Sequence, residues 1–347
     1  MIESKIITAT SNWPELFDSI GYSELVVLVD ENTKEMCLPY VVERLIQERK
    51  FTLIETKSGE SSKEISNAER LWRELMDANI DRNAMLICLG GGVVCDLGGY
   101  VASTYKRGIR TMYIPTTNLA MCDASIGGKT GVNFNGIKNQ IGTFHPPTHI
   151  LVEVELLKTL DPRHVISGYA ETIKHALISD PSFWATLIEK NDHSMSSNGI
   201  LRSMQIKRDI IKEDYLDTGS RQALNFGHTV GHAIESASQE GTNSLLHGEA
   251  IAIGMVAESY LATKLAGLEM DSFEAIQAHI MDTYKGVQFP VIDTETYLSH
   301  MRQDKKNTRS GIICSLISSI GTPALSVVAM ESELIDALEF TKKAWSR

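Results

Sequence analysis

The stretch AMLICLGGGVVCDLGGYVASTY, residues 84–105, is the most informative part of the chain for its fold. A short apolar run ends in Gly90, Gly91 and Gly92, and the residues after them have the pattern of a helix. Glycines at such a strand-to-helix turn let backbone N–H groups approach a pyrophosphate, and the helix dipole favours an anion there. The stretch therefore predicts a nucleotide-binding turn. A tight turn that needs glycine backbone angles is the alternative.

Similar apolar runs lie on both sides of this stretch. Five candidate strands alternate with helical patterns, and they cover residues 25–29, 51–54, 85–89, 112–114 and 150–152. This alternation predicts a parallel sheet. From about residue 167 the pattern becomes one helix after another, at 168–178, 198–214, 224–238, 247–266 and 271–284.

Two domains are therefore expected. The first is an α/β dinucleotide-binding domain with a parallel sheet over residues 1–155, and the second is a mostly α-helical metal- and substrate-binding domain over residues 156–347. Residues 311–317 are apolar and could form a terminal strand or another buried segment.

Length and composition exclude several classes of protein. The chain has 347 residues, 43% of them hydrophobic, and can bury substantial cores. Its net charge of -11 argues against binding nucleic acid or an anionic membrane, because these partners need a basic surface. The five cysteines lack zinc-finger spacing and are predicted to be reduced thiols. No leader or membrane-spanning run is visible, so we expect a soluble cytoplasmic protein.

An acidic residue accompanies the glycine turn in an unusual order. Asp30, at the end of the first candidate strand, could accept hydrogen bonds from a ribose diol, which favours NAD over its 2′-phosphorylated relative. In the ordinary dinucleotide fingerprint, however, the acidic residue follows the glycines, and GxGxxG is absent here. Thr116 and Thr117, after a later strand, add support for a nucleotide site.

Three residues in helical segments have the side chains of a catalytic zinc site. Glu171, His228 and His247 provide two imidazoles and one carboxylate, and such a set leaves positions open for water or substrate. Lys174 lies i+3 from Glu171, and His232 lies i+4 from His228, so each shares a helix face with a proposed ligand. A hydrogen-bonded core histidine is the alternative for any one of these positions.

Glycines and cations between the two expected domains suit a phosphate site. CDASIGGKTGVNFNGIKNQIG, residues 122–142, contains Asp123, Lys129, Lys138 and Asn139 and is not a Walker loop. Further polar candidates follow along the chain at Lys207, Arg221, Asn225 and Lys305–Asn307. Arginine suits a planar carboxylate and lysine suits phosphoryl oxygens. Solvated surface cations are the alternative.

Seven motifs occur in order along nearly the whole chain. They are GGGVVCDLGGYVASTYKRG, PTT, DASIGGKTGVN, KNQIG, SGYAETIKHALI, RQALNFGHTVGHAIE and LLHGEAIAIGM. With this set, the chain resembles the 3-dehydroquinate synthase family, within the wider sugar phosphate cyclase superfamily.

The resemblance implies cofactors and roles for named residues. It implies NAD in the N-terminal domain, and zinc or cobalt held by Glu171, His228 and His247 in a homodimer. Substrate and catalytic roles fall on Arg107 (across the dimer interface), Asp123, Lys129, Asn139, Lys174, Lys207, Arg221, Asn225, His232 and one of Lys305 and Lys306, with Lys306 the candidate. The set on the nucleotide side is Asp30, Glu60, Lys63, Gly91, Gly92, Asp96, Thr116, Thr117, Lys129, Lys138 and Thr159.

Two departures from the family pattern are visible. Cys95 replaces a common glycine after the glycine turn, where it could affect NAD binding, and DYLDTGSR precedes Arg221 in place of the commoner DExExGxR. Relatives that cyclise neutral sugar phosphates generally vary at the positions of Arg221, Asn225 and His232, and all three residues are present here. A carboxylate needs a cationic partner when buried, so the retained arginine favours an acidic substrate.

The expected activity is therefore conversion of 3-deoxy-D-arabino-heptulosonate 7-phosphate to 3-dehydroquinate and phosphate, a carbon–oxygen lyase reaction of the shikimate pathway. Another sugar phosphate cyclase, or a metal-dependent NAD polyol dehydrogenase, remains the alternative. A non-catalytic binding protein with this fold is a third possibility.

Overall fold

The computed structural model of the chain describes residues 4–8, 13–135, 137–190, 196–239, 244–302 and 311–346. The chain divides into two compact units, Met1–Asp161 and Pro162–Arg347. The sequence placed this boundary a few residues earlier, between 155 and 156. The first unit contains a parallel sheet and the second is mostly helical, which confirms the predicted fold class.

The first unit, called the α/β unit below, contains eight strands and five α-helices among the described residues. The strands are β1 (Lys5–Thr8), β2 (Leu25–Asp30), β3 (Thr52–Thr56), β4 (Met85–Gly90), β5 (Arg110–Pro115), β6 (Lys129–Phe134), β7 (Ile137–Phe144) and β8 (His149–Val152). The helices are α1 (Trp13–Ser19), α2 (Glu31–Met36), α3 (Leu38–Val41), α4 (Ile65–Asp77) and α5 (Gly92–Thr104).

Six of these strands form one parallel sheet in the order β1-β8-β5-β4-β2-β3. All five predicted strands belong to it. The strands β6 and β7 pair with each other in an antiparallel hairpin, and the sequence did not predict this hairpin or β1.

Both faces of the central strands are covered by apolar residues. On β2, Val26 and Leu28 belong to one hydrophobic cluster, and Val27 and Val29 belong to another. Successive side chains of a strand point to opposite faces, so a strand covered on both sides is apolar at every position. This explains the continuous apolar runs that predicted the sheet.

The spatial order of the strands explains how Asp30 can lie near the glycine turn although it precedes the glycines in sequence. The chain leaves β2 for β3 on one side and then returns to β4 on the other side. The register of β2 and β4 pairs Leu28 with Cys88, so Asp30 and Gly90 end adjacent strands. Ligands of open parallel sheets bind where the strand order reverses in this way. Asp30 and the glycine turn therefore flank such a crevice although a strand separates them in sequence.

The second unit, called the helical unit below, contains eight α-helices and one hairpin in its described ranges. The helices are α6 (Pro162–Ser179), α7 (Pro181–Lys190), α8 (Ser197–Glu213), α9 (His228–Gln239), α10 (His247–Leu265), α11 (Met270–Thr283), α12 (Thr294–Arg302) and α13 (Glu331–Trp345). The strands β9 (Ile312–Ser319) and β10 (Thr322–Ala329) are antiparallel, so the undecided residues 311–317 lie mostly in a strand. The predicted helix 224–238 begins later, at His228, after a 3₁₀ turn at Ser220–Asn225.

The helix α10 lies at the centre of the helical unit and is buried along most of its length. It is apolar on all sides, as expected for a helix surrounded by others. Glycines bring α9 close to it. A Cβ on Gly254 would lie 2.1 Å from the carbonyl oxygen of Gly227, and one on Gly231 would lie 2.8 Å from Ile251. None of the helices in the described ranges combines the length and apolar character needed to cross a membrane.

Candidate active site

The three predicted metal ligands come together inside the helical unit. Glu171 lies in the middle of α6, His228 is the first residue of α9, and His247 is the first residue of α10. The Nε2 atoms of His228 and His247 each lie 3.6 Å from Oε1 of Glu171. His232 lies beside them, and each of the three histidines has a ring nitrogen within 4.8 Å of the other two.

Glu171 is the buried negative group of this cluster. It is 0% exposed, and neither carboxylate oxygen has a hydrogen-bond partner among the described residues. Its charge is balanced by an ion pair with Lys174, one turn later on α6. Burial opposes ionisation, but Lys174 and the two histidines outweigh it and hold the pKa of Glu171 well below its usual value. An ionised carboxylate without hydrogen bonds at this depth is suited to a cation.

Each histidine ligand is oriented through its other ring nitrogen. Nδ1 of His228 lies 3.1 Å from the carbonyl oxygen of Phe226, and Nδ1 of His247 lies 2.9 Å from Oε2 of Glu235. We assign the Nδ1 proton as the donor in both contacts, which leaves both Nε2 atoms available on the side of Glu171. Metal-binding histidines almost always have such an outer partner.

The surroundings shift the pKa values of His228 and His247 in opposite directions. Burial lowers the pKa of His228 well below its usual value, and Lys174 lowers it further. Burial also disfavours the charged form of His247, but the carboxylates of Glu171 and Glu235 beside it raise its pKa to about 10. A protonated His247 thus lies between the carboxylates of Glu171 and Glu235. A bound cation would also provide positive charge beside these carboxylates. Two imidazoles and a carboxylate suit Zn²⁺, and imidazole ligands also suit related divalent metals, so these residues fit the expected metal.

The start of α10 is fixed by polar contacts as well as by packing. Oε2 of Glu249 accepts the N–H of Leu246 at 2.8 Å, and Arg163 donates to both oxygens of Glu249 at 2.6 and 2.8 Å. The N–H of Gly248 donates to the hydroxyl of Ser167 on α6 at 3.1 Å. These contacts hold His247 in place relative to the helix that carries Glu171.

Glu235, which binds His247, was not among the predicted residues. A signal was available, because Glu235 is i+7 from His228 and i+3 from His232 and so lies on the same face of α9. Arg163 and Glu249 were missed as well.

The remaining predicted residues of the helical unit include buried cations. Lys174, Lys207 and Arg221 are 1%, 6% and 4% exposed, so they are not solvated surface residues. Nη1 of Arg221 donates to the carbonyl oxygen of Tyr215 at 2.7 Å, which orients the guanidinium group. Asn225 ends the 3₁₀ turn before α9. Lys305 and Lys306 lie outside the described residues.

The glycines of the turn in the α/β unit are explained by lack of space for a side chain. None of Gly90, Gly91 and Gly92 has a positive φ, so the need for glycine backbone angles does not explain them. A Cβ on Gly90 would lie 2.5 Å from the side chain of Val94, and one on Gly91 would lie 3.1 Å from that of Thr117. The turn leads into α5, whose first N–H groups are available in the way that nucleotide-binding turns require.

Four predicted residues of the α/β unit form one network around Lys63. Its ammonium group donates to Asp96 at 2.8 Å and to Asn139 at 2.5 Å, and lies 3.7 Å from Glu60. Asn133, which the sequence analysis missed, donates to Glu60 at 2.9 Å. Burial raises the pKa of Asp96, and Lys63 opposes this increase. Lys63 thus lies between the carboxylates of Asp96 and Glu60.

Asp30 has a structural role at the proposed ribose position. Its Oδ1 accepts the N–H of Thr33 at 2.7 Å and the hydroxyl of Thr33 at 2.9 Å, so it caps α2. Both hydrogen bonds use the same oxygen. The second oxygen, Oδ2, takes no part in these two hydrogen bonds, and its role in ribose recognition stays a prediction.

The predicted threonines lie in turns after strands. The N–H of Thr116 donates to the carbonyl oxygen of Gly90 at 3.0 Å, which places Thr116 and Thr117 beside the glycine turn. Thr159 lies in a separate 3₁₀ turn, where its hydroxyl donates to the carbonyl oxygen of Leu156 at 2.7 Å.

The phosphate-site candidates lie on and near the hairpin of β6 and β7. Lys129 is the first residue of β6 and follows Gly127 and Gly128, whose φ angles are +101° and +65°. A Cβ on Gly128 would lie 2.7 Å from the backbone nitrogen of Pro146. Lys138 lies on β7, and both lysines are exposed, so the solvated-surface alternative stays open for them.

Three further residues named from the sequence, Asp123, Arg107 and Cys95, lie in the α/β unit. Asp123 lies in a helical turn at Ala120–Ala124. Arg107 is exposed, with a φ of +67°, in the turn after α5. Cys95 is 0% exposed with its Sγ 3.9 Å from the carbonyl oxygen of Gly90, and it belongs to a hydrophobic cluster of the unit. Its thiol therefore faces the core.

Comparison with known proteins confirms the resemblance inferred from the motifs. A family model for the N-terminal part of 3-dehydroquinate synthase matches residues 53–167, and one for the C-terminal part matches residues 168–307. The 3-dehydroquinate synthase of Parabacteroides distasonis is 37% identical over 99% of both chains. That of Lactococcus lactis subsp. cremoris is 34% identical over 99% of this chain and 96% of its own.

A solved structure has the same fold. It is 2-epi-5-epi-valiolone synthase from Streptomyces hygroscopicus subsp. jinggangensis with NAD+ and Zn2+ bound, and it is 25% identical to this chain. The two structures superpose with a TM-score of 0.87 over 99% of this chain and 98% of the other. From these matches over its full length, the chain belongs to the 3-dehydroquinate synthase family.

Proposed function

We propose that this chain converts 3-deoxy-D-arabino-heptulosonate 7-phosphate to 3-dehydroquinate and inorganic phosphate. The observation that carries this proposal is the cluster of Glu171, His228 and His247. In it, the Nε2 atoms of both histidines lie 3.6 Å from the same buried carboxylate oxygen. The family to which the chain belongs supports the choice of reaction.

The cofactors of the proposed reaction are NAD and zinc, with cobalt as an alternative metal. Glu171, His228 and His247 would hold the metal, and the α/β unit would bind NAD around Asp30, the glycine turn and the network of Lys63. When bound, the metal would polarise a substrate hydroxyl, and NAD would take up a hydride and later return it. The substrate would lose phosphate between these two transfers and close its ring by an intramolecular aldol reaction, so the net redox change is zero.

Buried cations of the helical unit would bind the charged groups of the substrate. Lys174 would provide positive charge where phosphate departs, and such preorganised charge is worth several kcal/mol in a site that excludes water. Lys207 would help to hold the substrate. His232, beside the two histidine ligands, would exchange a proton or bind the phosphate group. Arg221, with its guanidinium oriented by Tyr215, would bind the substrate carboxylate in the planar manner that lysine cannot reproduce.

The assembly in the proposal is a homodimer. The hairpin of β6 and β7 exposes three large apolar side chains, Phe134, Ile137 and Phe144, which supports an interface there. Arg107 would reach the site of the partner subunit. Light scattering after gel filtration tests the dimer, and a monomeric, fully active enzyme would contradict it. The five cysteines are buried and form no disulfide with one another, which suits a reducing compartment, so we infer a cytoplasmic location.

One assay separates the proposed reaction from its main alternative. With the heptulosonate phosphate, zinc and an amount of NAD far below that of substrate, we expect continued release of inorganic phosphate. A polyol dehydrogenase would instead accumulate NADH with a simple polyol and release no phosphate. Steady NADH production in place of phosphate release would overturn the proposal.

The substrate carboxylate is tested at Arg221. The substitution Arg221→Lys keeps the charge but loses the planar pair of donors, so we expect KM for the heptulosonate phosphate to rise about 10- to 100-fold with a smaller change in kcat. Arg208→Lys on α8 is the control and should leave both constants unchanged. An unaltered KM in Arg221→Lys would favour a cyclase of neutral sugar phosphates.

A further inference from the structure

The helix that carries His228 begins without a capping side chain of its own. The first N–H groups of a helix have no partner within it and are usually satisfied by Ser, Thr, Asp or Asn just before the helix. Here that position is Gly227, which has no side chain and a φ of +80°. The N–H groups at the start of α9 therefore need an acceptor from elsewhere in the fold.

Glu258 of α10 supplies this acceptor. Its Oε2 accepts the N–H of Gly227 at 2.7 Å, and its Oε1 accepts the N–H of Val230 at 2.9 Å. Glu258 is 0% exposed and comes from a helix that is otherwise apolar at its centre. A negative charge at the start of a helix is favourable, because it complements the helix dipole.

The peptide group between Phe226 and Gly227 connects Glu258 with the ring of His228. Gly227 lies between Phe226, whose carbonyl oxygen binds Nδ1 of His228, and His228 itself. The N–H that Glu258 holds therefore belongs to the segment that sets the tautomer and direction of the imidazole. The other ring nitrogen, Nε2, is the one that lies 3.6 Å from Glu171.

Packing makes this segment sensitive to the position of Glu258. A Cβ on Gly227 would lie 2.5 Å from the side chain of Met255, and one on Gly254 would lie 2.1 Å from the carbonyl oxygen of Gly227. The pair α9 and α10 is thus held by Glu258 at one end of their contact and by the hydrogen bond of Glu235 with His247 at the other.

We infer that Glu258 is a positioning residue for the metal site, which fixes the His228 ligand by binding the start of α9. The inference rests on the metal site of the proposed function but not on the identity of the substrate. It predicts that Glu258 controls metal affinity through its hydrogen bonds with the backbone at the start of α9.

The test is zinc affinity measured against a chelator, with no substrate present. In Glu258→Ala we expect the affinity for Zn²⁺ to fall about 10- to 100-fold, the range found for outer partners of metal ligands. Glu258→Gln keeps one acceptor oxygen, so its affinity for Zn²⁺ should fall less than that of Glu258→Ala. The visible absorption spectrum of the Co²⁺-loaded protein should change in both variants, because it reports ligand geometry.

A matched control separates positioning from a general loss of stability. Leu187→Ala removes a buried side chain on α7, a helix that contributes no residue to the metal cluster. It should lower the unfolding temperature and leave both Zn²⁺ affinity and the Co²⁺ spectrum unchanged. If Glu258→Ala is too unstable to purify, Glu258→Gln and its Co²⁺ spectrum decide the question.

The outcomes distinguish this inference from the proposed function. If the unaltered protein binds Zn²⁺ and the Glu258 variants bind it equally well with the same Co²⁺ spectrum, the positioning role is wrong. If the unaltered protein binds no divalent metal at all, the proposed metal site and this inference both fail.

Discussion

The helical unit and the α/β unit each contain a carboxylate paired with a buried lysine, but the surroundings of the two pairs differ. In the helical unit, Glu171 is fully buried and paired with Lys174, and two imidazole nitrogens each lie 3.6 Å from its Oε1. In the α/β unit, Asp96 is 22% exposed and paired with Lys63, which also donates to the amide oxygen of Asn139. The first arrangement presents the nitrogen and oxygen atoms that suit a metal ion. The second presents a charged hydrogen-bond donor beside polar groups, which suits hydrogen bonds with a cofactor.

The largest effect should follow loss of a metal ligand. In His228→Ala we expect no stoichiometric zinc and a fall in phosphate release of about a thousand-fold or more, because the site loses one of its three protein ligands. Bound zinc is measured by elemental analysis of the purified variant. His164→Ala changes an exposed histidine on α6 and serves as the control. A His228→Ala protein that keeps its zinc and its turnover would show that the cluster does not depend on this ligand.

A smaller effect is expected at the outer partner of the same site. In Glu235→Gln the carboxylate that binds His247 becomes neutral, so zinc affinity should fall about 10- to 100-fold while the ligand set is retained. Competition with a chelator measures this change. Glu189→Gln, on the exposed side of α7, is the matched control. Equal affinities in Glu235→Gln and the unaltered protein would mean that Glu235 does not orient the metal ligand.

In the α/β unit, removal of Lys63 should affect stability through Asp96. Asp96 is 22% exposed, so the loss in Lys63→Met should be about 2 kcal/mol, below the range for fully buried pairs. Burial already raises the pKa of Asp96 in the intact protein, and loss of Lys63 should raise it further. Protonation then neutralises Asp96, so the loss is largest at high pH and shrinks as the pH falls through the raised pKa.

Urea unfolding at a series of pH values measures this difference. NAD affinity should fall in the same variant, by about ten-fold if one charge-assisted hydrogen bond is lost. Lys50→Met removes an exposed lysine of the same unit and should change neither quantity. A loss of stability that is the same at every pH would exclude the carboxylate of Asp96 as its cause.

The smallest effect on ligand binding is expected at Cys95. Since its thiol faces the core, Cys95→Gly should leave NAD affinity within about two-fold and lower stability by about 1–2 kcal/mol, from a glycine inside a helix and a small cavity. Cys95→Ala separates the two causes, because it keeps the helix propensity and loses only the sulfur. A large change in NAD affinity would place the thiol beside the nucleotide.

The parts of the fold that the sequence predicted are those with strong periodic patterns. The central strands are covered on both faces, so they appear as continuous apolar runs, and the helices of the second unit show clear periodicity. The hairpin of β6 and β7 was missed because β7 is exposed at most positions and lacks the alternation of a half-buried strand. Its glycines and lysines suggested a phosphate loop instead.

The site was predictable where its residue types indicate a zinc site, as for Glu171, His228 and His247 on three different helices. Glu235 was missed although it lies on the face of α9 that carries His228. Glu258 could not be found in this way, because its partners are backbone N–H groups 28 and 31 residues earlier in the chain. A sequence does not show which backbone N–H groups bind a given side chain. Only the three-dimensional structure places these two groups beside Glu258.

The edge strand β1 has a consequence for how the protein is made. Residues 5–8 pair with residues 149–152 in parallel register, so β1 can take its place in the sheet only after β8 has been translated. Pairings between residues so distant in sequence form slowly, because a long loop must close first. Until β8 is made, β1 lacks the strand that it pairs with in the sheet, and exposed strand edges of this kind are prone to aggregation.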